Sequence, residues 1–98
     1  MTLNELFKQH DILTGELAVC LRELGDTRAA ITTRQGNAWT SLAHLNVTER
    51  REEVRHSCAQ LVSDTEKQLG EIEALRAEIA NITLRIAHHA ESSNHGDA

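Results

Sequence analysis

Apolar positions recur along this chain at alternating spacings of four and three. From Val54 the pattern runs through Cys58, Leu61, Thr65, Gln68, Ile72, Leu75, Ile79, Ile82, Ile86 and His89 without a missed step, and most of it is aliphatic. An α-helix turns once every ~3.6 residues, so a repeat averaging about 3.5 holds one narrow stripe toward a partner helix. At ~1.5 Å per residue this stretch spans about 54 Å. A second stripe precedes it, through Leu3, Leu6, His10, Leu13, Leu17, Cys20, Leu24, Thr27 and Ile31. Thr2 stands where it can cap that helix, with Glu5 completing a capping box. Gly15 and Gly25 lie off the stripe and weaken the helix by ~1 kcal/mol each against alanine. Leu24-Gly25-Asp26-Thr27 is a first candidate break, with Asp26 or Thr27 able to cap a new helix, but the stripe crosses it in phase and a continuous helix is expected. Gln35-Gly36-Asn37 is a second candidate break, after which Ala38, Trp39, Leu42 and Leu45 resume an apolar face slightly displaced, as a stutter produces.

The clearest boundary is Leu45-Asn46-Val47-Thr48-Glu49. Asn46 or Thr48 can cap a new helix, and Glu49, Glu52 and Glu53 suit its positive end. The expectation is an all-α fold, a single long antiparallel helical hairpin over residues 1–90. Its first helix covers about 2–45, its turn about 46–48 and its second helix about 48–90, with a disordered polar tail at 91–98. Folding back at Asn46 pairs Leu3 with His89, Leu6 with Ile86, His10 with Ile82, Leu13 with Ile79, Leu17 with Leu75 and Cys20 with Ile72. The same register continues through Leu24 and Gln68, Thr27 and Thr65, Ile31 and Leu61, Arg34 and Cys58, and Ala38 and Val54. Its layers are aliphatic toward the termini and polar in the middle. Cys20 and Cys58 fall about 21 Å apart along the helices, beyond the ~7 Å that a disulfide spans, so no link between them is expected.

Two helices sharing one stripe bury little surface. Phe7, Leu21, Val62 and Leu69 stand on the shoulders of the stripes, where solvated helices carry charge. They are therefore candidates for self-association. The simplest closure is a homodimer, antiparallel or end-shifted, in which two hairpins make a four-helix bundle and leave the bends exposed.

Composition supports this class. The chain has no proline or tyrosine, one tryptophan and one phenylalanine, so aromatics supply little core volume. The net charge of −5 argues against nucleic-acid binding as the general mode. It is uneven: residues 1–25 carry two basic against four acidic side chains, residues 26–58 five against four, and residues 59–98 three against seven. No apolar run approaches the ~20 residues of a membrane span, and no basic-then-apolar leader opens the sequence. A cytoplasmic setting with reduced cysteines is expected, and no membrane partner.

Chemistry-bearing motifs are few. Glu53-Val54-Arg55-His56 has the Glu-x-x-His spacing of di-metal bundles, but the second motif and further glutamates that such a centre needs are missing. His88, His89 and His95 suit a polar helix end better than a metal centre, and His10 suits a polar layer of the stripe. No nucleophile–base pattern, phosphate loop or paired-cysteine motif is present. No enzyme activity, metal or cofactor is implied. Arg34, Trp39, Arg50, Arg51 and Arg55 form the most distinctive cluster, because tryptophan and arginine are favoured anchors for a protein partner. The plainer alternative is that Trp39 plugs the end of the bundle while the arginines pair with Glu49, Glu52 and Glu53.

The run Arg34-Gln-Gly-Asn-Ala-Trp39, followed by Leu45-Asn-Val-Thr-Glu-Arg-Arg51, resembles small helical proteins encoded by phages and prophages. In those an Ala-Trp near a helix end precedes a short turn and a Ser/Thr-x-x-Glu-Arg/Lys helix start. Here Asn46-Val47 stands where a glycine turn is common, and Thr48 directly precedes Glu49. The resemblance implies a phage or prophage accessory or host-directed factor, acting in the host cytoplasm, and no activity. The expected function is a non-catalytic, self-associating protein-interaction factor. The alternatives are a metal-binding bundle using Glu53 and His56, or a nucleic-acid-associated factor using the arginine-rich bend.

Overall fold

A computed structural model describes the backbone of residues 1–96 and side chains through residue 92. Two helices account for nearly all of it: α1, Leu3–Ser41, and α2, Val47–Gly96. Their starts follow from local hydrogen bonding. The amide of Glu5 donates to Thr2 Oγ1 at 3.2 Å, and the amide of Thr2 donates back to Glu5 Oε2 at 3.3 Å. This is the reciprocal capping box that satisfies orphan donors of a first turn. At α2 the cap is Asn46, whose Oδ1 accepts from the Glu49 amide at 2.9 Å, and the Arg50 amide then closes the first helical turn onto Asn46 O.

Two boundaries differ from those expected. α1 ends at Ser41 rather than near residue 45. The Leu45 amide turns onto Leu42 O at 3.0 Å, a tighter closure than a helical one, so the apolar spacing of Leu42 and Leu45 outlasts the helix. α2 continues to Gly96, so residues 91–96 of the expected disordered tail are helical. No proline or earlier glycine follows Gly70, and the backbone has no local reason to leave the helix sooner.

α1 passes through Gly25 and Gly36 without a break. No residue among those described has positive φ, and nothing lies within 4 Å of a Cβ built at either glycine. Every stripe position named above, from Leu3 to Ile31 and from Val54 to His89, is buried or half-buried.

The chain divides into two compact units, each combining a segment of α1 with a segment of α2. The first comprises Met1–Leu21 and Glu71–Ala98. Its core is Leu6, Leu13 and Ile82, with Leu75, Ile79 and Ile86 packed against them. These are residues that the antiparallel register sets into neighbouring layers, and His89 Nε2 lies 3.2 Å from Met1 O in the same register. The second unit is Arg22–Gly70, with Leu24 and Cys58 buried. Here Arg34 Nη1 donates to Ser57 O at 3.4 Å and Arg50 Nε to Trp39 O at 2.6 Å, again across the register. No disulfide is present among the described residues.

The polar layers of the second unit are satisfied within each helix. Thr27 Oγ1 donates to Glu23 O at 3.0 Å and Thr65 Oγ1 to Leu61 O at 2.9 Å, so the two threonines need nothing from each other. Gln68 differs, because its Oε1 is buried and accepts no hydrogen bond. A buried acceptor left unpaired costs about 1–3 kcal/mol.

Two stability predictions follow from these positions. Gly25→Ala and Gly36→Ala should each raise unfolding free energy by about 0.5–1 kcal/mol, since the backbone is helical and the added methyl meets open space. Gln68→Leu should raise it by about 1–2 kcal/mol by removing the orphan acceptor. Urea unfolding followed by circular dichroism measures all three. Destabilisation by either alanine would contradict an unbroken α1, and destabilisation by the leucine would mean that the glutamine is paired.

Candidate functional site

The shoulder residues lie open in both units. In the first, Phe7 is 49% and Leu21 41% exposed. In the second, Val62 is 46% and Leu69 42% exposed. Each immediately follows a stripe position, a step of about 100° around the helix, which carries it out of the seam and onto one flank. Ile12 and Val19 are also exposed, and the sequence reasoning above passed over them. They are seven residues apart, two beyond His10 and Leu17, and so form a heptad row on the other flank of α1. That spacing was the available signal.

The arginine–tryptophan cluster resolves into three parts. Arg50 lies over the Trp39 ring, its guanidinium carbon 3.9 Å from the ring centroid, while its Nε bonds the Trp39 carbonyl. One side chain thus ties the start of α2 to the end of α1 by a cation–π contact and a hydrogen bond. Arg51 and Arg55 stand beside a groove of about 290 Å³ whose other walls are Gln35, Trp39, Val54, Cys58 and Val62. Arg34 belongs elsewhere. It lines a wider groove of about 680 Å³ with Ala30, Thr33, Asn37, Ala38, Ser41 and Ser57.

Trp39 is therefore not sealed in as a plug, being 37% exposed. The expected pairing of arginines with glutamates reduces, among the described residues, to Arg55 with Glu52 at 3.5 Å, both well exposed. Such a pair contributes little and exchanges readily for another carboxylate. Val62, grouped by sequence with the self-association shoulders, shares a groove with Trp39, Arg51 and Arg55. The two candidate surfaces of the second unit thus meet at Val62.

Glu53 and His56 are both exposed, and no group of three or more potential metal ligands converges among the described residues. In the first unit Met1, Leu6, Arg85, His88, His89 and Ser92 line a groove of about 340 Å³. The side chain of His95 lies outside the described residues. No helix is long and apolar enough to cross a membrane, among the residues described.

Fold and surface together define an all-α helical hairpin with open apolar flanks. No protein family, curated protein or solved structure matches the chain.

The Arg50–Trp39 contact predicts an uneven response within the cluster. Arg50→Ala should lower unfolding free energy by about 1 kcal/mol. Arg51→Ala and Arg55→Ala should each change it by less than about 0.5 kcal/mol. Urea titration of the three variants checks this, and equal losses in all three would mean that the stack carries no particular weight.

Proposed function

We propose that this chain is a non-catalytic protein-interaction factor that works as a self-associated helical hairpin, an antiparallel or end-shifted homodimer closing a four-helix bundle. The observation that carries the reading is the exposure of Phe7, Leu21, Val62 and Leu69, aliphatic and aromatic side chains at shoulder positions that solvent-facing helices fill with charge. The amount of open surface supports it. The chain exposes 7139 Å², whereas a compact monomer of 10.9 kDa exposes about 5,600 Å². The excess, about 1,500 Å² per chain, is more than the ~800 Å² that a standard interface takes from each partner. The arginine-rich bend, with Arg34, Trp39, Arg50, Arg51 and Arg55, offers a surface for a further protein partner. The resemblance at Arg34–Trp39 and Leu45–Arg51 supports reading such a factor as a phage or prophage accessory or host-directed protein, acting in the host cytoplasm.

Sedimentation equilibrium at micromolar concentration tests the assembly. The expected species is a dimer, and Leu21→Glu combined with Leu69→Glu should dissociate it and lower helicity together. A wild-type monomer of full helicity would overturn self-association and reassign the shoulders to a different protein.

A further inference from the structure

Charge divides between the units as unevenly as hydrophobicity does. The first unit, Met1–Leu21 with Glu71–Ala98, carries three basic and eight acidic residues, the whole of the net −5. The second, Arg22–Gly70, carries seven of each and is neutral. A dimer that set first unit against first unit would oppose two net charges of −5. One that set first unit against second would not, and would bring carboxylates toward arginines.

The second unit has a recess suited to such a contact. Trp39, Val54, Cys58 and Val62 form its apolar walls, and the only charged residues lining it are Arg51 and Arg55. It takes an apolar side chain with a carboxylate beside it. The first unit presents that combination at Phe7, which is half exposed and has the exposed Asp11 one helical turn further on. Lys8 adjoins Phe7 in sequence but projects about 100° around the helix from it. A two-fold dimer makes such a contact twice, each copy supplying one Phe7 face and one groove.

We propose that the Trp39–Val62 groove receives the Phe7 face of a second copy of this chain, each copy filling the other's groove, with Asp11 meeting Arg51 and Arg55. This rests on the self-association proposed above and specifies its contact. Phe7 is an aromatic anchor entering a pocket, and the two arginines select the acidic end of the partner over its neutral one. In this arrangement Trp39, Arg51 and Arg55 are taken by the second copy, and of the bend surface the groove along Arg34 is what stays open to a further partner.

Trp39 is the only tryptophan, so its fluorescence reports on the groove directly. Emission and sedimentation are followed together on the full-length protein across a dilution series. In the wild type, emission should shift to the red as the dimer dissociates. Phe7→Arg should be monomeric and red-shifted at concentrations where the wild type is dimeric. Asp11→Arg and Arg55→Glu should each weaken dimerisation about tenfold, and combining them should recover most of the loss. Circular dichroism at high concentration confirms that each variant is helical. A dimer whose Trp39 emission does not change on dissociation, or a Phe7→Arg dimer as tight as wild type, overturns this contact while leaving self-association intact. A wild type that is monomeric throughout removes both.

Discussion

Each unit is held by a stripe only two positions wide in every seven. That single constraint accounts for most of what the molecule shows. A side chain on such a stripe meets the facing helix on one side and water on the other, so none of those described is fully enclosed. Among the described residues only six apolar side chains are buried, and three of them, Leu6, Leu13 and Ile82, form the one core cluster there. A core this shallow leaves helix continuity to local terms. The reciprocal Thr2–Glu5 box, the Asn46 cap and the Arg50 tie onto Trp39 hold the helix starts and the bend.

The units differ in how they specify their pairing. The first relies mainly on aliphatic layers, with His10 and His89 the polar exceptions on its stripe, and such layers pack well but tolerate a slip of one heptad. The second places polar residues on the stripe. Thr27 and Thr65 add little specificity, because each hydroxyl is satisfied by its own helix. Gln68 can discriminate, since a buried amide tolerates few registers, and its unpaired Oε1 is the local cost. The hydrogen bonds from Arg34 to Ser57 O and from Arg50 to Trp39 O fix the remaining register from the bend. Aliphatic burial thus dominates the first unit, and most of the polar specification falls in the second.

Much of the fold was legible because a 3.5-residue repeat is a local property of the sequence. Every stripe residue from Leu3 to Ile31 and from Val54 to His89 is withdrawn from solvent as that repeat requires. The end of α1 was not legible, since Leu42 and Leu45 keep helical spacing while the backbone beneath them has already turned. The candidate site was harder to see. Arg34 and Trp39 are close in sequence, yet five residues turn an α-helix by about 140°, which carries them into different grooves. Val62 is distant in sequence but shares the Trp39 groove across the register. Proximity along the chain misled in both cases, and helical phase combined with the register was the better guide.

The run Glu49-Arg50-Arg51-Glu52-Glu53-Val54-Arg55 shows why net charge understates what a helix can present. Its three acids and three bases cancel, which argues for an inert surface. Geometry separates them. Arg50 is drawn onto the Trp39 ring, Glu52 is held by Arg55 through an exposed pair, and Arg51 stands with Arg55 beside an apolar groove that no carboxylate lines. Those arginines are exposed, so attraction to an incoming carboxylate strengthens only as the partner covers the groove and withdraws them from water. A surface that is neutral by composition can therefore prefer an acidic, apolar partner, and the chain's own N-terminal segment is acidic and apolar.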